Sequence, residues 1–177
     1  MPALPANRKR TALAVGAADQ LWGGYFFTPG DHLGVVTKDS LSAETDYAIN
    51  FEKPVGVLVQ DGHLLVSDQQ KGMIYSLPLD GGFPDGGPYD VFATVASCDA
   101  LTGGPSGSVI TGQFKPLADG GPLQLRQAFP DGGVQVIHAD AGLAKPQGVA
   151  YDKTNKRLFV ADSNGTTVRT IKILPID

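Results

Sequence analysis

An all-β chain, built as a radial array of four-stranded sheets, is what this sequence predicts. Three observations carry the prediction: a long internal repeat, short apolar runs punctuated by turn residues, and a last unit that ends one strand early. The stretch KPVGVLVQDGHLLVSDQQKGMIYSL, Lys53 to Leu77, returns 92 residues later as KPQGVAYDKTNKRLFVADSNGTTVRTI, Lys145 to Ile171. Pro54, Gly56 and Val57 align with Pro146, Gly148 and Val149. After a two-residue insertion, Leu64, Val66 and Asp68 align with Leu158, Val160 and Asp162. Steps of 44 residues from Asp68 reach Gly112 in one direction and Gly24 in the other, which brings two more units into register. A period of about 44 residues is that of a propeller blade, so the chain reads as a β-propeller-type array of about four blades, the last incomplete.

The blades fall at roughly 11–54, 55–98, 99–146 and 147–177, in a single propeller domain or part of one. In the first, an inner segment at 11–15 is followed by DQLWGGYFF, with Leu21 and Trp22 where the second blade has Leu65 and Val66. DSLSAETDYAI, Asp39 to Ile49, is too short to hold a capped helix against the pattern around it. The second blade reads VGVLV, the turn Asp61-Gly62, HLLVSD, GMIYSLPL, a Gly-rich turn and YDVFATVA. The third begins at 99–103, continues through SGSVITGQF, repeats the turn FPDGG of Phe83–Gly87 at Phe129–Gly133, and closes with VQVIHAD. Asp-Gly, Asn164-Gly165 and Asp-Gly-Gly supply the residues tolerant of positive φ that tight hairpins require. The fourth blade supplies three strands before Asp177 and lacks the outermost one. One blade cannot bury both faces of its sheet, so the pattern returns because the packing problem returns.

Glycine (23) and proline (13) make up about a fifth of the chain, in keeping with many turns and few long helices. A net charge of −4 offers no footprint for nucleic acid, and Arg8-Lys9-Arg10 reads as a solvated tail. Cys98 is the single cysteine, which rules out an intramolecular disulfide and a zinc cluster. No apolar run approaches the ~20 residues that span a bilayer. NRKRTALAVGAAD imitates a secretory signal, but the repeat claims those residues for a strand. The expectation is a soluble protein, cytoplasmic or secreted with a signal missing or weak.

The pattern PxGVxxD…LxVxD resembles the inner half of blades in NHL-repeat proteins and in the gluconolactonase (senescence-marker protein) family of six-bladed propellers. PQGVAYDKTNKRLFVADSNGTTV carries the resemblance furthest, and KPVGV…LLVSD…IY is similar to blades of soluble glucose/sorbosone dehydrogenases. The likeness is sharp over about 55 residues and rests on the period elsewhere. In the gluconolactonase family the residue between Pro and Gly points into the central channel, where Glu, Asn and Asp hold one divalent cation that polarises a lactone carbonyl. The corresponding positions here read Thr11, Val55, Asp99 and Gln147. The resemblance therefore implies Asp99 and Gln147 as metal ligands, with Ca, Mg, Mn or Zn as the cation; a lone carboxylate beside an amide departs from the family's set. Beside that stands a structural role: Asp99 bonding backbone in a turn, and Gln147 lining a wet channel.

Other chemistries find no support. His32, His63 and His138 lie in different units, and GPSGS around Ser106 lacks the Gly-x-Ser-x-Gly spacing of a nucleophile elbow. Asp68 and Asp162 read as structural acceptors for a turn, and Trp22, Tyr25 and Tyr75 as packing. No catalytic residue is assigned. The function expected is a ligand- or protein-binding module with its ligand at the channel mouth; the alternative is a divalent-metal-dependent hydrolase of sugar-lactone type. The missing strand leaves an edge for self-association, for further blades of a longer chain, or for closure by the leader before Thr11.

Overall fold

A computed structural model describes residues 8–17, 20–27, 33–39, 43–80, 83, 86–113, 123–139, 142–163 and 169–176. Four antiparallel sheets follow one another along the chain. The first orders β1 (Arg8–Val15), β2 (Leu21–Phe27), β3 (Gly34–Asp39) and β4 (Glu44–Phe51) side by side. The second holds β5 (Pro54–Gln60), β6 (His63–Asp68), β7 (Met73–Pro78) and β8 (Asp90–Thr94). The third holds β9 (Cys98–Gly103), β10 (Val109–Gln113), β11 (Leu125–Ala128) and β12 (Val134–Ile137). Among the described residues the fourth has three strands, β13 (Pro146–Asp152), β14 (Arg157–Ser163) and β15 (Arg169–Pro175), as the sequence predicts. Of DSLSAETDYAI, Asp39 ends β3 and the second half enters β4.

The four sheets share three cores, and the period-2 alternation of the strands decides which side chain enters which. Along β6, Leu64 and Val66 turn toward the first sheet and join Trp22, Val36, Tyr47 and Phe51. Leu65, between them, turns toward the third and joins Cys98, Leu101 and Val109. Successive strand residues point to opposite faces, and both faces of this sheet are covered, so the LLV triplet is buried throughout. The third core repeats the arrangement with Ile110, Leu125, Leu158 and Val160. Each fully buried Leu or Val contributes about 1.5–3 kcal/mol relative to exposure, which the neighbouring blade supplies.

The two end faces lack such cover. Leu13 and Val15 on β1 are 52% and 72% exposed, and Ile171 and Ile173 on β15 are 66% and 55% exposed. Turn chemistry falls where expected: Asp61 and Gly62 have φ of 50° and 78°, and the second FPDGG closes on Phe129 N–H to Gly133 O and Gly132 N–H to Phe129 O. Asn164-Gly165 and the leader before Arg8 lie outside the described residues.

One expectation is corrected. Arg8-Lys9-Arg10 is the first turn of pairing in β1, opposite Phe27, Phe26 and Tyr25, and is no solvated tail. The Arg10 guanidinium lies 5.0 Å from the Tyr25 ring and reaches Asp39 at 3.4 Å and Glu44 at 3.3 Å. Two carboxylates and a buried phenol hold this cation on the sheet, a context invisible in a run of three basic letters.

Candidate functional site

The inner strands β1, β5, β9 and β13 pack in sequence order and run the same way. Thr11 near the start of β1 meets Pro54 at the start of β5, and Thr102 near the end of β9 meets Tyr151 near the end of β13. Their starting ends therefore gather at one mouth of the shared axis. At that end each inner strand carries an irregularity in its pairing. The register shifts between Arg10 and Ala12, between Pro54 and Gly56, between Pro146 and Gly148, and in β10 opposite Cys98–Leu101. A bulge re-aims the extra side chain, and in the three inner strands where the break is on the inner strand itself that residue is Thr11, Val55 or Gln147. Asp99 lies at the corresponding break of the third sheet.

These four positions are not alike. Thr11's hydroxyl is taken up by the carbonyls of Pro54 and Gly24, and Val55 is buried and apolar. Asp99 is anchored by its backbone: its N–H donates to Thr111 Oγ1 at 3.1 Å, and its carbonyl accepts from Ser67 Oγ at 2.7 Å. Its Oδ2 is buried and has no hydrogen-bond partner among the described residues. Burial pushes the Asp99 carboxyl up to about 6, against the opposing pull of Lys53, the Gln147 side-chain amide, the Ala100 N–H and Lys145. The structure thus brings Asp99 and Gln147 together across two sheets.

Around this pair stand the two aspartates read from the sequence as structural acceptors, and lysines that the sequence reading passed over. Asp68, fully buried, accepts the N–H groups of Glu52 at 2.8 Å, Lys53 at 2.9 Å and Lys71 at 3.3 Å. Asp162 accepts those of Ala144 at 3.0 Å and Lys145 at 2.7 Å. Both aspartates are structural, as expected, but they mainly hold the loop preceding their own inner strand. Lys53 O accepts from Gln69 N at 2.9 Å and Lys145 O from Ser163 N at 3.2 Å, so the two lysines are clamped identically. Lys53 Nζ donates to Gln69 Oε1 at 2.6 Å and lies 5.5 Å from the Phe26 ring centre; Lys9 Nζ lies 5.9 Å from the same ring. The signal was available in the repeat: Lys9 and Lys53 are 44 residues apart, and Lys145 precedes its proline as Lys53 does.

Cys98 is buried, contacts the Asp68 and Met73 carbonyls at 3.7 and 3.6 Å, and is pushed up to about 12 by burial, so it is an inert packing thiol. Trp22 and Tyr25 are fully buried and Tyr75 nearly so, in keeping with packing.

The raised Asp99 value makes a signed prediction. The carboxyl titrates at an ordinary 3.8 when unfolded and at about 6 when folded, so between these values the folded state binds the extra proton. The stability that Asp99 contributes therefore rises as pH falls through this window. Above it the ionised group costs about 3 kcal/mol. Asp99→Asn is expected to raise the thermal midpoint at pH 7.5, with the gain vanishing by pH 4. Equal gains at both pH values would reject this origin.

No family model and no curated protein matches the sequence. Solved structures do. A nidogen/laminin complex is similar at 16% identity and a TM-score of 0.71, over 88% of this chain and 57% of that one. Regucalcin from Agrobacterium tumefaciens, described as a calcium-binding protein, is similar at 14% identity and a TM-score of 0.67, over 88% and 53%. Virginiamycin B lyase from Staphylococcus aureus is similar at 11% identity and a TM-score of 0.60, over 99% and 58%. The fold is a β-propeller arc. At such identities the likeness carries the fold alone. The arc spans little more than half the length of these structures. Among its described residues no helix is long and apolar enough to cross a membrane, and no group of three His, Cys, Asp or Glu is placed to hold a metal ion.

Whether the axial residues suit a hard divalent cation can be judged from the donors. One carboxylate, one amide and two lysine charges acting on the carboxylate are a poor set for Ca²⁺, Mg²⁺ or Mn²⁺, which favour several oxygen ligands. The Thr11 hydroxyl is already engaged and Val55 offers no donor.

Proposed function

We propose that this arc is a ligand-binding module whose site is the axial mouth at Asp99 and Gln147. The observation that carries it is the buried Asp99 Oδ2 without a partner, an acceptor aligned with an amide from the next blade. An ionised Asp99 is a cost to the fold near neutral pH, and costly buried groups concentrate at functional sites. The neighbours are consistent with binding as a common use of the scaffold: one is a protein complex, another a calcium-binding protein. The exposed end faces with Leu13, Val15, Ile171 and Ile173 offer apolar area for protein contacts.

Thermal unfolding in a ligand panel tests the proposal, because a ligand that binds only the folded state raises the midpoint by mass action. The panel comprises millimolar Ca²⁺, Mn²⁺ and Zn²⁺, neutral sugars, sugar phosphates and carboxylic acids. At least one probe is expected to raise the midpoint of the native chain and to lose its effect in Asp99→Ala. No shift from any probe, or shifts indifferent to Asp99→Ala, would overturn the reading. A shift confined to a divalent cation, accompanied by Asp99-dependent hydrolysis of a sugar lactone, would instead move the assignment to the metal-dependent hydrolase.

A further inference from the structure

The far end of the axis, where the inner strands finish, carries two adjoining cavities that the Asp99 site does not use. Gln60 ends β5, Gly103 ends β9, and Tyr151 stands one residue before the end of β13. A polar cleft of about 420 Å³ lies among these three and is lined also by Thr102, Ser106 and Lys153. Its volume falls within the range of about 300–1,000 Å³ that small-ligand sites occupy. An apolar niche of about 280 Å³, lined by Leu65, Phe92 and Pro130, adjoins it. Gln60, Asp61 and Gly107 line both cavities, so the two meet there.

Blade docking fixes that junction. Gln60 Nε2 donates to the Gly107 carbonyl at 2.8 Å, from the second blade to the third, and a methyl on Gly103 would lie 2.6 Å from Gln60 Oε1. A methyl on Gly107 would lie 3.8 Å from both Asp61 Oδ2 and Pro130 Cγ, which sets the carboxylate at the edge of the apolar niche. His63 Nδ1 lies 3.1 Å from the Asp61 carbonyl oxygen and ties the turn. The Asp61 carboxylate and the Lys153 ammonium have no ion-pair partner among the described residues. Ser106 lines the cleft at φ 53° and ψ 38°, a left-handed conformation that is costly for a residue with a side chain, and such strain gathers at ligand sites.

The order of features is apolar niche, carboxylate, polar cleft with a lysine. A ligand that matches it joins an apolar group to a cation and carries polar groups and an anion further on, which is the arrangement at the start of a peptide. We propose that this end of the axis binds a short peptide with a free N-terminus and an apolar first residue. The first side chain fills the niche of Leu65, Phe92 and Pro130, its ammonium pairs with Asp61, and the remainder runs through the polar cleft with its carboxylate toward Lys153. A simple amine would leave the cleft unused, and a simple anion would meet Asp61 at the junction. The site is separate from the Asp99 mouth and does not rest on that reading.

Amide-resolved NMR titration of the full chain at pH 7.5 tests it, with leucylglycine, N-acetyl-leucylglycine, glycylglycine and isoamylamine as probes. Leucylglycine is expected to shift the Gly62, Gly103 and Gly107 amides saturably, while the acetylated and the all-glycine peptides fail. Asp61→Asn keeps a residue that tolerates the left-handed turn and is expected to weaken binding about fivefold; Lys153→Met is expected to weaken it about threefold, since both charges are exposed. Raising NaCl from about 50 to about 500 mM should weaken binding of the native chain and leave that of the double variant unchanged. Glu52→Gln, an exposed carboxylate just before β5, is the control with native affinity. The dispersion of the amide spectrum separates lost binding from lost folding. N-acetyl-leucylglycine binding as tightly as leucylglycine, native affinity in Asp61→Asn, or no shift from any probe would overturn the proposal. Isoamylamine binding as tightly as leucylglycine would overturn the peptide assignment and leave an amine site. Shifts confined to Asp99 and Gln147 would overturn this site while the reading of the axial mouth stands.

Discussion

Asp68→Ala is expected to lower the free energy of unfolding by about 3 kcal/mol. The carboxylate is fully buried and accepts three backbone N–H groups, at 2.8, 2.9 and 3.3 Å. Removing it strips charge-assisted bonds and leaves the Glu52 and Lys53 donors without their acceptor, at roughly 1–3 kcal/mol for each donor that stays buried. A cavity then adds to the loss. Asp68→Asn should cost less, since its single carbonyl oxygen can still serve one donor while its NH₂ faces the others. Urea denaturation at pH 7 measures all three proteins, and a loss under about 1 kcal/mol for the alanine variant would show that the loop before β5 is held by other means. Asp162→Ala should cost less than Asp68→Ala, because its sheet is covered on one face only and its outer strand exposes Ile171 and Ile173.

Gly112→Ala should be of comparable severity for a different reason. A methyl group there would lie 2.0 Å from the Pro146 carbonyl oxygen and 2.8 Å from its carbon. Both are backbone atoms of the next blade's inner strand, so no rotamer relieves the contact and the third and fourth sheets must separate. A loss of about 3 kcal/mol is expected, and hydrogen exchange should show β13–β15 losing protection while β5–β8 keep theirs. Gly62→Ala provides the contrast. Gly62 has a φ of 78° with nothing within 4 Å of the added carbon, so only the backbone penalty applies, about 1 kcal/mol. Equal effects at the two positions would mean that the close approach of blades at Gly112 is not what limits substitution. The Gly112 variant should also weaken any ligand that uses both Asp99 and Gln147, since it displaces the strand bearing Gln147.

Gly112 shows how the repeat can be legible while its meaning is not. Aligned on the period, Gly24, Asp68, Gly112 and Asp162 share one column, and the two glycines there look like decayed copies of the aspartates. In the structure Gly112 is a close-approach position and Gly24 is not. Gly112 lies against Pro146, whereas a methyl on Gly24 would meet the Pro54 carbonyl oxygen at 3.5 Å, an ordinary contact. Where Asp stands, the column clamps a loop; at Gly112 it admits the neighbouring backbone. The Pro-x-Gly position was similarly half-read. Its place at the axis followed from the resemblance, but the bulge that turns the residue inward is visible only in the pairing of β5 with β6 and β13 with β14.

The linear chain settled the architecture, because strand period and turn chemistry are local: LLV between Asp61-Gly62 and Asp68 makes a strand wherever it is written, and its recurrence demands a neighbour of the same shape. The shortfall of one strand in the fourth sheet was countable for the same reason. What only the docked blades decided is which polar groups meet. The resemblance set Asp99 and Gln147 at one channel, but that Lys53 and Lys145 bear on the Asp99 carboxyl and that Asp99 is largely buried emerge only when the blades dock. Their convergence, the lone Oδ2 and the raised titration of Asp99 arise from burial and from charges brought together across blades, which are properties of distance in space and not of order along the chain.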